Sequence, residues 1–164
     1  EFFSAARTLK AEFGEKVAFD VVGFYEDAYK EQVDQLVADG VVRFHGFQTD
    51  VHPFYEAADC VVLPSYHEGM SNVLLEGAAT GRALITSDIP GCREAVEDGV
   101  SGYLCPAQDA EGLTQAMRDF AQQSFDRQVQ MGQNGRALVE RKFDKQLVVA
   151  QTLGGLDLPA AVRS

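Results

Sequence analysis

Two carboxylates, Glu68 and Glu76, bracket the segment Glu68-Gly-Met-Ser-Asn-Val-Leu-Leu-Glu76. It follows the apolar run Cys60-Val-Val-Leu-Pro64, so it reads as a loop that leaves a strand and turns into a helix. Gly69 lets the backbone turn sharply and approach a ligand closely. Ser71 or Asn72 is suited to cap the helix start, whose first N–H groups have no intrahelical acceptor. An anion at such an end gains about 1 kcal/mol from the helix dipole, more when partly buried. Carboxylates accept hydrogen bonds from hydroxyl groups, and helical side chains lean toward the N-terminus, which aims Glu76 back at the same end. The combination suits a ligand that carries both phosphate and sugar hydroxyls.

Taken singly, each residue has a plainer explanation. An acid in the first turns of a helix complements the dipole, Glu68 alone is an ordinary loop carboxylate, and an isolated His67 is more often a surface histidine than a catalyst. Paired carboxylates also fit glycoside hydrolysis. The glycine fingerprint of dinucleotide folds and the P-loop are both absent, which removes support for dinucleotide or ATP binding. The residue chemistry by itself reaches an α/β domain for a phosphate-bearing ligand.

The elements that must position these residues alternate. Strand-like runs occupy Val17–Gly23, Val41–Gly46, Asp59–Ser65, Ala83–Asp88 and Gly102–Cys105, with helices expected at Tyr29–Ala38, Val51–Ala58, Asn72–Thr80 and Cys92–Glu97. The runs are continuously apolar, as in parallel strands covered on both faces. The expected fold is an open, doubly wound parallel α/β sheet, which delivers ligand contacts at the C-terminal ends of its strands. Three such ends are rich: His45-Gly46-Phe47, Pro64 to Gly69, and Thr86 to Gly91. Asp109–Gln123, Phe125–Lys142 and Asp144–Leu153 read as a helical tail capped at Asp109 or Ser124, with a frayed end from Leu158. Phe2, Ala6, Leu9 and Phe13 recur at helical spacing. The order therefore begins with a helix, whereas such sheets alternate from a strand, and a strand upstream of Glu1 is expected.

The 164 residues, 46% of them hydrophobic, suit one domain with a sizeable core. A net charge of −11 argues against nucleic acid, whose phosphates are bound by basic patches, and against a basic membrane-facing surface. No apolar run reaches membrane-spanning length, and the opening residues show no signal-peptide pattern. Cys60, Cys92 and Cys105 are odd in number and lack paired spacing, so free thiols in a reducing, cytoplasmic setting are expected. With His45, His52 and His67 they show no zinc-ligand spacing.

The motifs taken together say more. Phe44-His-Gly-Phe47, Tyr55-Glu-Ala-Ala-Asp-Cys-Val-Val-Leu-Pro-Ser-Tyr-His-Glu-Gly69, Asn72-Val-Leu-Leu-Glu-Gly-Ala78, Gly91-Cys-Arg-Glu94 and Glu97-Asp-Gly-Val-Ser-Gly-Tyr-Leu104 resemble the C-terminal, donor-binding domain of GT-B retaining glycosyltransferases of family GT4. The resemblance runs from about residue 1 to 153. Glu68 and Glu76 match that family's paired-glutamate motif, and Pro90-Gly-Cys-Arg-Glu94 looks most like its bacterial branch acting on lipid-linked or capsular oligosaccharides.

The resemblance implies a role for each position. Glu76 would hold the ribose hydroxyls of the donor nucleotide and Glu68 would face the donor sugar near the reacting carbon. Backbone N–H groups of Gly69, Met70, Ser71, Asn72 and Val73 would hold the diphosphate or sugar, and the backbone of His45 and Gly46 would lie beside the base. It implies a nucleotide-sugar donor, UDP-linked, as substrate, with no metal and no cofactor. The acceptor, a glycan or lipid-linked sugar, would be bound by an N-terminal domain outside this chain, which reads as a donor domain over 1–164 truncated at its start. The full-length protein is expected in the cytoplasm or peripherally at the inner face of the membrane. The family also carries a Gly-Arg…Lys-Gly segment, whose cations clamp the diphosphate and are not in this sequence. The isolated chain is therefore expected to bind donor weakly and to transfer little. Two rival readings share the motifs: a nucleotide-sugar-binding module without catalysis, and a GT-B-like UDP-sugar epimerase.

Overall fold

A computed structural model describes residues 1–25 and 27–143. The spaced apolar residues at the start fold as α1 (Phe2–Phe13), with Ala5, Ala6 and Leu9 buried. There follow β1 (Asp20–Val22), α2 (Lys30–Ala38), β2 (Arg43–Gly46), α3 (His52–Ala57), β3 (Cys60–Leu63), α4 (Asn72–Ala79), β4 (Ala83–Ser87), β5 (Gly102–Cys105), α5 (Ala110–Ala121) and α6 (Phe125–Phe143). The caps are where short-range chemistry puts them: Asp109 accepts from the Gly112 N–H at 2.9 Å and Ser124 from the Arg127 N–H at 3.3 Å. The helix expected over Cys92–Glu97 is instead a single 3-10 turn, Arg93–Ala95. Gly91, at φ 88°, breaks helical geometry just before it, and the Glu94 carboxylate folds back to accept the Gly91 N–H at 2.7 Å. The helix expected over Asp144–Leu153 and the end from Leu158 lie outside the described residues.

All strand pairings are parallel, as continuous apolar runs lead one to expect. They form two open sheets rather than one, however: β1-β2 and β3-β4-β5. The facing edges of β1 and β3 do not pair. A cavity of about 420 Å³ lies between them, lined by Phe19 and Asp20 on the β1 side and by Cys60 and Val62 on the β3 side.

Both faces of the three-stranded sheet are covered, because successive strand residues point to opposite sides. Ala83 and Ile85 of β4 join one core cluster with Leu9 of α1 and Leu113, Met117 and Phe120 of α5. Leu84, between them, joins another with Leu74 and Ala78 of α4 and Val139 of α6. All five residues of β4 are buried, so this strand is the spine of the fold. The helix α4 sits unusually close to the sheet: a Cβ at Gly77 would lie 2.9 Å from Val61 Cγ2 and 3.2 Å from Leu84 Cδ2. That contact, with Leu74 wholly buried, pins the helix whose N-terminus carries the candidate site.

Candidate functional site

The loop from Leu63 to Asn72 leaves the C-terminal end of β3 and enters α4. Ser71 is its N-cap. It is extended, at φ −75° and ψ 109°, and its hydroxyl accepts the Leu74 N–H at 3.5 Å. The Ser71 side chain is therefore consumed by the cap and nearly buried, at 4% exposure. Its own N–H is used as well, donating to the Gly91 carbonyl at 3.3 Å. Asn72 and Val73, the first two helical residues, have N–H groups with no intrahelical acceptor, and both residues are exposed. Of the run Gly69 to Val73, Ser71 thus shapes the loop, while Asn72 and Val73 leave the helix end open.

Glu68 is exposed and accepts a hydrogen bond from the Ser65 hydroxyl at 3.1 Å. Beside it, Tyr66, His67, Gly69, Ile89 and Pro90 line a shallow cleft of about 510 Å³. The exposed Met70 lies on the same loop. Glu76, on the first turns of α4, is exposed at its residue surface but anchored at one oxygen: the Tyr55 hydroxyl of α3 donates to Oε2 at 3.1 Å. Tyr55 itself is buried. Burial, then the Glu76 charge and hydrogen bond, push its phenol up to about 12, so it stays a proton donor to Glu76. This orients one carboxylate oxygen and leaves the other available.

His45 and Gly46 end β2. The His45 imidazole is not free: Nε2 lies 2.7 Å from Asp20 Oδ1 and the ring meets Phe54 at 4.9 Å between centroids. Asp20 also receives Arg43 through two hydrogen bonds. This makes an Arg43–Asp20–His45 cluster across β1 and β2, leaving the His45 side chain tied to the sheet and Gly46, at φ 66°, turning the chain out of it.

Three residues that shape this site lie within the strand ends and motifs read from the sequence but have no role of their own there. Tyr55 and Ser65 hold the two glutamates, and Gly91 supports the loop from below. A Cβ at Gly91 would lie 1.7 Å from the Gly69 carbonyl oxygen and 2.6 Å from that of Glu68. The glycine thus lets the turn after β4 press directly on the Glu68–Gly69 backbone. The one signal for it is Pro90-Gly91, a turn dipeptide at a strand end. The neighbouring Cys92 is buried. Burial pushes its thiol up, and all three cysteines are free. No described helix is long and apolar enough to cross a membrane.

A family model described as "Glycosyl transferases group 1" matches residues 1–123. A Campylobacter jejuni enzyme, N,N'-diacetylbacillosaminyl-diphospho-undecaprenol alpha-1,3-N-acetylgalactosaminyltransferase, is 30% identical over 115 residues, covering 70% of this chain and 30% of its own length. The lipopolysaccharide core biosynthesis glycosyltransferase LpsE of Rhizobium meliloti is 29% identical over 126 residues, covering 77% of this chain and 37% of its own. The chain thus spans about a third of the length of these relatives. Among solved structures, Anabaena HepE in complex with UDP shares the fold at a TM-score of 0.77 and 23% identity, over 93% of this chain and 44% of that one. The C-terminal domain of the group 1 glycosyl transferase LpcC from Francisella tularensis does so at a TM-score of 0.72 and 24% identity, over 86% of this chain and 77% of that one.

Proposed function

The chain belongs to the group 1 glycosyl transferases, and on that premise we propose that it is the donor-binding part of an enzyme that moves a sugar from a nucleotide-sugar to a glycan or lipid-linked acceptor with retention. One observation carries the reading: the C-terminal end of β3 delivers Glu68, a tight loop and a bare helix N-terminus in succession, with Glu76 held in place by Tyr55. Asn72 and Val73 turn unpaired N–H groups outward, where a diphosphate fits. The free oxygen of Glu76 accepts ribose hydroxyls, and Glu68 faces the sugar at the rim of the cleft it shares with His67 and Pro90. The backbone at His45 and Gly46 lies beside the base. UDP as the nucleotude carrier is supported by Anabaena HepE, which shares this fold and has been solved with UDP and with UDP-glucose.

In the reaction the bond between the anomeric carbon and the diphosphate breaks. Its electron pair goes to the phosphate oxygen, and the acceptor hydroxyl oxygen bonds to the same face of the sugar as its proton passes to that phosphate oxygen. Negative charge grows on the leaving diphosphate, and donors already aimed there stabilise it without reorganisation. The nucleotide-sugar is a substrate on this reading, and neither a metal nor a cofactor takes part. Enzymatic accelerations correspond to about 8 kcal/mol or more, beyond what one helix end and one carboxylate supply. The isolated chain therefore binds donor weakly, and transfer requires polypeptide outside these residues to hold the acceptor.

A thermal-shift panel of UDP, GDP, ADP and their sugars tests the reading, because a ligand that binds only the folded state raises its apparent stability. A rise with UDP and UDP-sugars above the other nucleotides is expected. A flat response to every nucleotide overturns the donor-site reading.

A further inference from the structure

The cleft beside Glu68 is polar on one side and hydrocarbon on the other, and the backbone enforces the difference. Tyr66, His67, Glu68 and Gly69 line it from the loop after β3, and Ile89 and Pro90 from the turn after β4. On the turn, the backbone hydrogen-bonding groups are almost all committed. The Ile89 N–H donates to the Ser87 carbonyl at 2.9 Å, and the Ile89 carbonyl accepts from Cys92 at 3.2 Å and from Arg93 at 3.0 Å. Pro90 has no N–H to give. The Gly91 N–H goes to Glu94 at 2.7 Å, and the Gly91 carbonyl accepts from Ser71. The Ile89 side chain is half-buried and packs on the cluster of Leu74, Leu84 and Val139, which holds this apolar wall in place.

The loop side is different. The Ser65 hydroxyl reaches Glu68 Oε1 at 3.1 Å and the His67 carbonyl at 3.3 Å. These contacts fix the loop and leave Glu68 Oε2 and the His67 imidazole outside them. The cleft therefore offers a carboxylate acceptor, an imidazole N–H donor and, opposite, a hydrocarbon wall. A hydroxyl turned toward that wall gives up water and gains no partner, whereas a methyl group there gains by leaving water. A plain hexose carries hydroxyls on every side and leaves the wall unused. A 6-deoxy sugar brings a methyl group but no amide. An acetamido group matches all three features: its N–H suits the carboxylate, its C=O the imidazole and its methyl the wall.

We propose that the donor sugar is an N-acetylated amino sugar, with its acetamido group held between Glu68 and His67 on one side and Ile89 and Pro90 on the other. This rests on the donor-site reading and narrows it to one class of sugar. The contacts concern the acetamido group alone, so both the gluco and the galacto epimers qualify.

Calorimetric titration of the full-length protein with UDP and with matched pairs of UDP-sugars tests it. UDP-N-acetylglucosamine is set against UDP-glucose, and UDP-N-acetylgalactosamine against UDP-galactose. In at least one pair the acetamido member should bind about tenfold more tightly, as expected for a covered methyl group and one added hydrogen bond. His67→Ala and Ile89→Thr should each lower that ratio by about threefold or more. The ratio compares two ligands on one protein, so it does not follow the stability of the variant. Ile89 also packs on the core, and if Ile89→Thr does not fold, the exposed His67 decides. Equal binding within both pairs, with UDP itself bound, overturns the proposal and leaves the donor reading standing. So does a ratio that neither substitution moves. Tighter binding of UDP-rhamnose, a 6-deoxy sugar, keeps the apolar wall but overturns the acetamido group. If neither UDP nor any UDP-sugar binds, the donor reading falls and this proposal falls with it.

Discussion

Gly91 presses on the carbonyl oxygen of Gly69 so closely that a Cβ at position 91 would lie 1.7 Å from it. No side-chain rearrangement can relieve such a contact, because both partners are backbone. The turn after β4 and the loop after β3 are thereby locked together, and the Ser71 N–H bond to the Gly91 carbonyl at 3.3 Å closes the lock from the other side.

Gly91→Ala should therefore cost about 2–4 kcal/mol of unfolding free energy and weaken donor binding, since it combines a left-handed φ of 88° with displacement of the Glu68–Gly69 backbone. Gly99→Ala is the control. Gly99 has φ 70° with nothing within 4 Å of its would-be Cβ, so it should cost only the conformational strain of about 1–2 kcal/mol and leave UDP affinity unchanged. Denaturant unfolding and calorimetric titration with UDP measure both. Equal effects of the two substitutions would refute the buttress.

The Tyr55–Glu76 bond predicts a signature at high pH. The folded state raises the phenol from 10.0 to about 12, so it holds that proton more tightly than the unfolded chain. The associated stability is present in full below pH 10 and is lost as the pH climbs toward about 12. Tyr55→Phe should cost about 1 kcal/mol near neutrality through the lost hydrogen bond, and the gap between the two proteins should shrink across that alkaline window. Urea unfolding as a function of pH checks this, and a constant gap would sink it.

Asp20 predicts the opposite limb. The hydrogen bond from Arg43 holds its carboxyl below the ordinary 3.8, outweighing the burial that pushes the other way, and His45 adds to the lowering. A carboxylate with a depressed folded value contributes stability above its unfolded value, and that contribution fades as the pH falls through the folded one. Asp20→Asn should then be less stable than the unsubstituted chain near neutrality. The two should converge as the pH drops below 3.8. Acid unfolding followed by circular dichroism shows whether the curves meet.

What could be read ahead of the structure divides along sequence distance. Caps at Ser71 and Asp109, the buried run Ala83–Ser87 and the helix opened by Phe2 are legible because each is decided by neighbours within one or two turns. Parallel pairing was legible from apolar continuity, whereas the break between β1 and β3 was not, because a strand's pattern marks its burial and not its neighbour. Tyr55 reads as one more apolar residue of a short helix. Its hydroxyl meets Glu76 only once α3 and α4 are placed side by side. The helix expected over Cys92–Glu97 failed for a related reason: Glu94 reaches back to the Gly91 N–H, a tight turn that no helical periodicity reports.

The two glutamates themselves make the sharpest test, because the proposed donor site gives them different parts of one ligand. On that proposal Glu76, on α4 and held by Tyr55 of α3, takes the nucleotide. Glu68, on the loop with one bond from Ser65, lines the open cleft with His67 and Pro90 and on the same proposal faces the sugar. Glu76→Ala should therefore weaken UDP and UDP-sugar alike, by about tenfold for a lost hydrogen bond to a charged group. Glu68→Ala should leave UDP affinity within about twofold, a few tenths of a kcal/mol, and show its loss only when the sugar is present or when the full-length enzyme turns over. Glu68 is exposed, so Glu68→Ala should lower unfolding stability by no more than about 0.5 kcal/mol. Glu76→Ala also takes the acceptor from the Tyr55 hydroxyl and should cost about 1 kcal/mol or more, so Tyr55→Phe, which loses the same bond, is its stability control. Titrations of each variant with UDP and with UDP-sugars read the split directly. If Glu68→Ala and Glu76→Ala lower UDP affinity to the same extent, the division of the site between sugar and nucleotide is wrong, even though both residues would still belong to it.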